Sequence, residues 1–244
     1  MIKGNNLTKQ YKNEIVFKDL NFHIPQGKFT LIKGPSGSGK TTLLNIISTI
    51  DNPKVGKLFI KNEEITNLSE HQKAKFRAKH IGFIFQSYAL IPEFSILENC
   101  IIPLIDYKLS QKEMLQKAKE AIQQFIPEAD EQFLKKTPTQ LSGGQQQRIS
   151  IARALIHNPD IIIADEPTAN LDDEASKYVK NTLKELVEKK NKTIIVVSHE
   201  NDYLNYADVL YEFVRSDENG VKSKFLDEEK AKEKIKQSKK RNNV

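Results

Sequence analysis

The sequence predicts an α/β protein built on a mostly parallel sheet, because short apolar runs alternate along it with helical patterns. Two branched-aliphatic runs, 161–164 and 193–197, are of the kind that parallel sheets bury on both faces. The run 28–34 predicts another strand, which a glycine-rich turn joins to a helix at about 40–48. Two more strands are predicted at 57–61 and 80–86.

A helical region is predicted between residues 87 and 140, where the apolar pattern changes its period. The segment 111–125 places Met114, Ala118, Ile122 and Phe125 at helical spacing, with charged residues between them. We interpret this apolar stripe as core rather than as a cofactor-binding surface. The region is therefore expected to be a helical insert in the α/β domain.

Composition places the chain among ordinary globular proteins. Its 244 residues are 38% hydrophobic and 29% charged, which is outside the range typical of disorder. The single cysteine, Cys100, cannot form an internal disulfide, and no cluster of cysteine and histidine indicates a structural metal. A reducing, cytoplasmic setting is expected. No apolar run is long enough for a secretory signal or a membrane span, so any membrane crossing is expected to belong to another polypeptide.

The C-terminal segment 227–244 is basic. It holds seven Lys and Arg against four Asp and Glu, which contributes +3 to a formal net charge of +6. Because it has few apolar residues to bury, it predicts a solvated helix that frays into a disordered end. Contact of its basic cluster with anionic lipid or nucleic acid stays open as the alternative.

Residues 34–41 match the phosphate-loop pattern G-x-x-x-x-G-K-[ST], directly after a predicted strand and directly before a predicted helix. Glycines let the backbone approach the phosphates, and the helix points the positive end of its dipole at the same place. Lys40 is expected to reach the β- and γ-phosphates, Thr41 to hold Mg²⁺ through its hydroxyl, and Thr42 to add a phosphate contact. The residues predicted to bind nucleotide here are Gly34, Pro35, Ser36, Gly37, Ser38, Gly39, Lys40, Thr41 and Thr42. The pattern alone indicates only a nucleotide phosphate, because kinases, GTPases and motor ATPases share it.

Two adjacent carboxylates, Asp165 and Glu166, follow the apolar run 161–164. We expect this strand to run beside the phosphate-loop strand, which brings its carboxyl end to the metal. Asp165 is then placed to hold Mg²⁺, and Glu166 to polarise the attacking water as a general base. Solvent-facing carboxylates at a strand end would be the alternative in a chain without the phosphate loop. His199 follows the strand 193–197 in the same way and is expected to contact the γ-phosphate.

A second backbone-rich anion site is predicted at Leu141-Ser142-Gly143-Gly144-Gln145, at the start of a helix that begins near Gln145. The sequence continues with Gln146-Gln147-Arg148 and, at helical spacing, Ala152-Arg153-Ala154-Leu155. In sequence and in order this segment closely resembles the signature of ABC (ATP-binding cassette) ATPases. One chain thus carries two phosphate-binding loops about a hundred residues apart.

The resemblance implies an ATP-binding and ATP-hydrolysing subunit with ATP and Mg²⁺ as cofactors. It implies an ABC cassette fold with an N-terminal antiparallel β region, a mostly parallel core and a helical insert. The expected assembly is a head-to-tail dimer with a second copy or a homologous ATPase, in which the signature of one subunit closes on ATP held by the phosphate loop of the other. The signature residues assigned to nucleotide are Ser142, Gly143, Gly144 and Gln145.

Further landmarks of the family occur in order. Gln86 matches the glutamine that senses metal and water and is counted, with Glu166, His199 and Lys40, among the catalytic residues. Asp172, in Ala169-Asn170-Leu171-Asp172, matches the anchor of the loop that couples the two sites of a dimer. Tyr11 lies where the family places an aromatic ring against adenine, although ordinary packing would also account for it.

Domain boundaries and partners also follow from the resemblance. The ATPase domain is expected at 1–226 with a helical subdomain at about 87–158, followed by the basic tail 227–244. A separately encoded integral-membrane permease is the expected partner, at the cytoplasmic face of the membrane, and no nucleic acid is expected. The segments 85–92 and 97–99 resemble the branch that serves lipoprotein release, macrolide export and antimicrobial-peptide resistance.

Two segments depart from the usual pattern of the family: 48–51, which lacks the usual glycine, and 54–56. They leave the substrate open. Two other functions are considered beside ATP-driven transport. One is a regulatory ATPase that signals through a membrane partner without moving a solute, as in cell-division relatives. The other is a soluble ATPase associated with nucleic acid, which the absence of a second cassette or a long coiled coil disfavours.

Overall fold

The computed structural model describes residues 1–12, 14–215, 223–225 and 228–241. The strands are β1 Ile2–Tyr11, β2 Glu14–Ile24, β3 Phe29–Lys33, β4 Val55–Ile60, β5 Glu63–Glu64, β6 Ile81–Ile84, β7 Ile161–Asp165, β8 Thr193–Val197, β9 Val209–Arg215 and β10 Ser223–Phe225. The α-helices are α1 Lys40–Ile47, α2 Glu70–His80, α3 Ile96–Ile101, α4 Gln111–Phe125, α5 Glu131–Leu134, α6 Gly143–Leu155, α7 Asp173–Lys190 and α8 Glu228–Arg241. Short 3-10 helices cover Ile102–Leu104, Pro138–Gln140 and Asn201–Asn205.

The chain divides into two compact units. The first unit comprises Met1–Arg77 and Leu183–Val244, and the second comprises Ala78–Thr182. The divisions fall within helices α2 and α7. Each unit contains one of the two predicted phosphate-binding loops.

The first unit contains an antiparallel sheet in the strand order β2-β1-β4-β5. Ile2 of β1 is opposite Ile24 of β2 on one side and Ile60 of β4 on the other, and all three side chains are fully buried. Apolar and polar residues alternate along β2, as expected for a sheet with one face against a core. This confirms the antiparallel region at the N-terminus.

The first unit also contains a parallel set in which β3 lies between β8 and β9. All five residues of β3 and all five of β8 are buried, which accounts for their mostly apolar sequences. Because β8 and β9 occupy both edges of β3, the prediction that the strand ending in Asp165 runs beside the phosphate-loop strand was wrong. The order of strands in a parallel sheet depends on crossovers that no local pattern encodes.

The second unit contains β6 and β7, which are parallel with Ile84 opposite Ala164, and the helices α3 to α6. Helix α4 covers the predicted segment 111–125 in full. Its start is fixed by Ser110, whose hydroxyl accepts from the Glu113 N–H while the Glu113 carboxylate accepts from the Ser110 N–H. The Glu113 carboxylate also accepts from the Ser110 hydroxyl at 2.6 Å, and this bond, with that from the Ser110 N–H, holds the pKa of Glu113 below its ordinary value.

Cys100 on α3 is fully buried. Burial disfavours the thiolate and raises the pKa of Cys100 to about 12. The thiol is therefore part of the core of the second unit.

The C-terminal segment forms helix α8, which confirms the helical prediction, while residues 227 and 242–244 lie outside the described residues. Most of its side chains are exposed, but Ala231 is only 3% exposed. Lys234 Nζ lies 2.6 Å from Glu212 Oε2 of β9, and Ser238 Oγ donates to Asn205 Oδ1 at 2.7 Å. The helix is thus docked along one side rather than solvated all round.

None of the helices in the described part of the chain combines the length and the apolarity that crossing a bilayer requires.

Candidate nucleotide-binding site

The phosphate loop follows β3 with a backbone that requires glycine at two points. Gly34 has φ +152° and Gly39 has φ +92°. A Cβ on Gly34 would lie 2.8 Å from Phe213 Cβ, and one on Gly39 would lie 2.6 Å from Val16 Cγ1. Both distances are shorter than carbon atoms tolerate, so a side chain at either position would displace the loop.

Helix α1 begins at Lys40 with Gly39 as its N-cap, and no side chain caps it. The N–H groups of its first turn are therefore available to an anion, and the helix dipole favours negative charge there. The helix is fixed by packing instead, because Leu43, Leu44, Ile46 and Ile47 are all buried. Each such side chain contributes about 1.5–3 kcal/mol when it is removed from water.

Lys40 lies over the loop, where its Nζ donates to the carbonyl oxygens of Gly34 and Pro35, each at 2.9 Å. Beside it is a cavity of about 250 Å³, which is lined by Tyr11, Glu14, Val16 and residues 37–42. This cavity contains much of the predicted nucleotide-binding set. A larger cavity of about 620 Å³ is lined by other parts of the first unit, such as Phe22 and Tyr211, and includes none of the predicted site residues.

Tyr11 is held by two residues that the motifs did not indicate. Its hydroxyl donates to Asp51 Oδ2 at 2.7 Å, and Lys9 Nζ donates to Asp51 Oδ1 at 2.6 Å. Lys9 Nζ also lies 4.7 Å from the centre of the Tyr11 ring. Burial alone would raise the pKa of Asp51, but the hydrogen bonds from Lys9 and Tyr11 hold it below its ordinary value.

The sequence singled out Asp51 only as a departure from the usual pattern of the family. In the structure Asp51 fixes Tyr11, which lines the cavity and remains 47% exposed. Burial and the neighbouring Asp51 carboxylate raise the pKa of the Tyr11 hydroxyl, so the ring stays neutral. No local signal joins residues 40 positions apart, so this contact could not be inferred from one sequence.

His199 lies at the same sheet edge as the phosphate loop. Ile32 of β3 is opposite Val197 of β8, so Gly34 and His199 each follow that aligned pair by two residues. The Ser198 N–H donates to the Ile32 carbonyl at 3.2 Å, which ties the end of β8 to the end of β3. The His199 side chain is exposed. The first unit therefore brings together Tyr11, the phosphate loop and His199.

The signature segment lies in the second unit at the start of α6. Ser142 is the N-cap, and the helix begins at Gly143, two residues before the start predicted near Gln145. Its hydroxyl accepts from the Gln145 N–H at 3.3 Å, and Gln145 Oε1 accepts from the Ser142 N–H at 3.1 Å. A Cβ on Gly143 would lie 3.0 Å from the Tyr88 hydroxyl, and one on Gly144 would lie 3.4 Å from Ala175 Cβ.

Asp165 ends β7, and Glu166 follows it with a left-handed backbone, φ +44°. A residue with a side chain rarely adopts this conformation, and such strain is concentrated at functional sites. The Glu166 carbonyl accepts from the Ala169 N–H at 3.2 Å, which closes the turn. The carbonyl of Pro167 within that turn accepts from Gln147 Nε2 of α6 at 2.8 Å. The turn after β7 is thereby attached to the signature helix.

Asp172 caps helix α7, because its Oδ1 accepts from the Ala175 N–H at 2.8 Å and its carbonyl accepts from the Ser176 N–H at 2.8 Å. The Gln86 side chain is exposed, and its carbonyl accepts from Asn170 Nδ2 at 3.4 Å. The segments of Gln86 and Asp172 thus meet in the second unit.

The sequence placed Arg153 of α6 in the signature segment but gave no sign of its role. Its guanidinium donates to the carbonyls of Ala89, at 2.6 Å, and Tyr88, at 2.8 Å. Both residues have left-handed backbones, with φ +49° and +61°. The planar fork of arginine suits two neighbouring carbonyls, so Arg153 fixes the strained turn that follows Gln86.

A family profile described as ABC transporter matches residues 17–169, which is more than half of the chain. The chain belongs to the ABC transporter family. Its relatives include an uncharacterized ABC transporter ATP-binding protein, MJ0796, of Methanocaldococcus jannaschii, which is 45% identical over 207 residues, covering 82% of this chain and 87% of the relative. As an ABC cassette, the chain is an ATPase that uses ATP and Mg²⁺.

Two bacterial relatives have functional names. The bacitracin export ATP-binding protein BceA of Halalkalibacterium halodurans is 40% identical over 205 residues, covering 82% of this chain and 79% of the relative. The lipoprotein-releasing system ATP-binding protein LolD of Francisella tularensis is 38% identical over 216 residues, covering 86% of this chain and 91% of the relative. Both names fall within the branch of ABC cassettes that the sequence indicated.

A solved structure of MJ0796 resembles this cassette throughout. It is described as a dimeric, post-hydrolysis state bound to ADP and Pi, and it matches with a TM-score of 0.81 and 39% identity, covering 93% of this chain and 98% of the other. The similarity confirms the ABC cassette fold.

The residue types of the cassette suit Mg²⁺, which prefers oxygen ligands and is usually bound with substrate phosphates and water. Thr41, Gln86 and Asp165 offer a hydroxyl, an amide and a carboxylate oxygen. Across the described ranges, no three His, Cys, Asp or Glu side chains are grouped so that they could hold a metal ion. The donor set therefore fits a metal that is shared with the nucleotide.

Proposed function

We propose that this ABC cassette works as one half of a head-to-tail dimer, in which each ATP is bound by the phosphate loop of one subunit and the signature of the other. One observation carries the proposal. Each unit of the chain presents its own glycine-containing helix start, whose first backbone N–H groups can meet an anion, at Gly39–Lys40 of α1 and at Ser142–Gly143 of α6. A triphosphate that is bound by a single chain does not need both helix starts, so the second is available to the triphosphate of another subunit.

The residues of the first unit bind the nucleotide in this proposal. Tyr11 stacks against adenine, residues 34–42 surround the phosphates with backbone N–H groups, and Lys40 moves from the loop carbonyls to the β- and γ-phosphates. His199 donates to the γ-phosphate. Ser142, Gly143, Gly144 and Gln145 of a second copy contact the opposite side of the same phosphate.

The hydrolysis step in this proposal uses residues of the second unit together with Thr41 of the first unit. Thr41, Gln86 and Asp165 would hold a Mg²⁺ ion, which would neutralise phosphate charge. Glu166 accepts a proton from the attacking water, and general-base catalysis of this kind contributes about 10²- to 10⁴-fold in rate. Asp172 couples the two sites across the dimer.

We further propose the boundaries 1–226, with a helical subdomain at about 87–158, for the ATPase domain.

The dimer drives a separately encoded integral-membrane permease from the cytoplasmic face of the membrane. ATP favours the closed dimer and ADP does not, so each round of hydrolysis changes the conformation that the permease meets. The names of BceA and LolD, which refer to bacitracin export and lipoprotein release, support an export or force-transmitting role. Signalling without a solute remains the alternative within the same branch.

Two variants test the proposal. Lys40→Ala should abolish ATP binding, measured by equilibrium binding of a fluorescent ATP analogue. Glu166→Gln should keep binding, nearly stop phosphate release and accumulate dimer in size-exclusion chromatography with ATP. Lys75→Ala, on the exposed side of α2, and Glu128→Gln, on an exposed turn, are matched controls that should behave as the wild type.

If Glu166→Gln hydrolyses ATP at the normal rate, Glu166 is not the general base. If isolated monomers hydrolyse ATP at the full rate, hydrolysis does not require the dimer. Co-purification from membranes identifies the permease, and a partner without a solute pathway would favour the signalling alternative. Steep salt-dependent binding of DNA or RNA, lost on deletion of 227–244, would contradict the expectation of no nucleic-acid partner.

A further inference from the structure

Helix α8 contacts the rest of the first unit through three residues of its docked side, Ala231, Lys234 and Ser238. Their spacing of three and four residues places them on one face of the helix. Ala231 is buried, Lys234 forms an ion pair with Glu212 of β9, and Ser238 donates to Asn205. Lys234 keeps about half of its side chain exposed, and the exposed Lys236 and Lys240 lie on the opposite face of the helix. A basic helix that merely covered a surface would not need two specific polar contacts.

The contact of Ser238 is with the segment that carries His199. Asn205 is the last residue of the 3-10 helix Asn201–Asn205, which begins two residues after His199. No side chain caps the start of this short helix, and 3-10 helices have poor hydrogen-bond geometry, so contacts with other elements must fix its position.

The other anchors of the 3-10 helix lie on β3, the strand that leads into the phosphate loop. Lys33 Nζ donates to Asn201 Oδ1, and the fully buried Tyr203 packs against Phe29, with 6.3 Å between ring centres. These anchors hold the beginning and the middle of the 3-10 helix. Ser238 of α8 holds its end.

The contact of Lys234 reaches the neighbourhood of the phosphate loop from the other side. Its partner Glu212 is paired in register with Lys33 on β3. The next residue along β9, Phe213, lies so close to Gly34 that a Cβ there would be 2.8 Å away. The two polar contacts of α8 therefore end on two chain segments, one next to Gly34 and one next to His199.

We propose that helix α8 is a positioning element for the hydrolysis step, which sets the distance between His199 and the phosphate loop through Ser238 and Lys234. The inference rests on the proposed role of His199. The phosphate loop itself lies between β3, whose five residues are all buried, and α1, which buries four apolar side chains, so two packed elements fix it. Loss of the α8 contacts should therefore lower kcat and leave nucleotide affinity unchanged.

The test compares the full-length protein with Ser238→Ala and Lys234→Ala, using steady-state phosphate release and binding of a fluorescent ATP analogue. We expect kcat to fall about three- to tenfold in each variant, the range that loss of one such contact can produce, with the Kd for the analogue unchanged. Gln237→Ala and Lys236→Ala, exposed positions on the same helix, are the matched controls and should keep the wild-type kcat.

Two rescue experiments separate positioning from a general loss of structure. Asn205→Asp retains an acceptor for the Ser238 hydroxyl and should keep kcat, whereas Asn205→Ala should lose it. Lys234→Glu combined with Glu212→Lys should recover much of the kcat that Lys234→Glu alone loses. The proposal would be overturned if Asn205→Asp and the double variant Lys234→Glu/Glu212→Lys lost as much kcat as Asn205→Ala and Lys234→Glu do. It would also be overturned if the controls Gln237→Ala and Lys236→Ala lost as much kcat as Ser238→Ala and Lys234→Ala do.

A cycle with His199→Ala distinguishes failure of the inference from failure of the proposed function. If α8 acts through His199, Ser238→Ala should not lower further the residual rate of His199→Ala. If His199→Ala itself hydrolyses ATP normally, the proposed role of His199 is wrong and the inference falls with it. If His199→Ala is inactive but Ser238→Ala and Lys234→Ala are fully active, only the inference is wrong.

Discussion

Glu166 offers a direct test of whether backbone strain is stored at the turn that we propose to carry the hydrolysis step. Its left-handed backbone, φ +44°, costs an L-residue about 1–2 kcal/mol, and glycine is free of that cost. Glycine also gains conformational freedom in the unfolded chain, which offsets about 0.4–1 kcal/mol. Glu166→Gly should therefore be more stable than Glu166→Ala by about 0.5–1 kcal/mol.

The comparison of glycine with alanine isolates the backbone, because both variants lose every contact that the Glu166 carboxylate makes. For a chain of this size, the difference corresponds to about 1–4 °C in Tm, which thermal unfolding by circular dichroism resolves. Both variants should be inactive in phosphate release. If Glu166→Gly is more stable than Glu166→Ala and neither hydrolyses ATP, the backbone strain at this position lowers stability and accompanies a side chain that hydrolysis requires.

The control is the same pair of substitutions at Glu174 in the first turn of α7, where the backbone is helical. There the order should reverse, with alanine more stable than glycine, because alanine has the higher helix propensity. If Glu166→Gly were also less stable than Glu166→Ala, the reasoning from strain would be refuted.

Three further predictions concern the surroundings of the site. The pKa of Asp51 is lowered in the folded state, so the contribution of Asp51 to stability is present above the unfolded pKa, about 4, and is lost as the pH falls through the folded pKa. The free energy of unfolding of the wild type should therefore exceed that of Asp51→Asn most at neutral pH, and this difference should disappear as the pH falls below about 4. Ser142→Ala should lose the cap of α6 and lower Tm by about 2–4 °C, as expected for about 1 kcal/mol, while Ser142→Asp should keep most of it. Arg153→Lys cannot serve both carbonyls after Gln86, so hydrogen exchange of segment 86–90 should become faster.

Each of these has an outcome that would contradict it. A pH-independent difference for Asp51→Asn would mean that its ion pair with Lys9 does not contribute to folding. An unchanged Tm for Ser142→Ala would mean that the cap of α6 is not formed in solution. Unaltered exchange in Arg153→Lys would mean that the turn is held by other contacts.

The elements that the sequence predicted best are those whose signals are local. Helix α4 was predicted in full, since a stripe of apolar residues and the Ser110–Glu113 pair both lie within or beside the segment. Strand β8 was predicted in full because its five residues are all buried and all apolar or β-branched. The phosphate loop and signature were also recognised from short runs of residues.

The features that the sequence did not predict depend on residues far apart in the chain. The neighbours of β3 are β8 and β9, more than 150 positions away, so no local pattern could place them. The contact of Tyr11 with Asp51 and that of Ser238 with Asn205 each join side chains of ordinary polar type. The strain at Glu166 is equally invisible, because glutamate gives no sign of a left-handed backbone.

The burial of Cys100 makes the wild-type chain a ready background for chemical labelling. The thiol is fully buried with a pKa raised to about 12, so maleimides should not react with it in the native protein. New cysteines at exposed positions outside the binding residues, such as Lys75 and Glu128, could then carry fluorophores or a short cross-linker without prior removal of a native one. Distances between the subunits of a dimer become accessible to spectroscopy in an otherwise unaltered molecule.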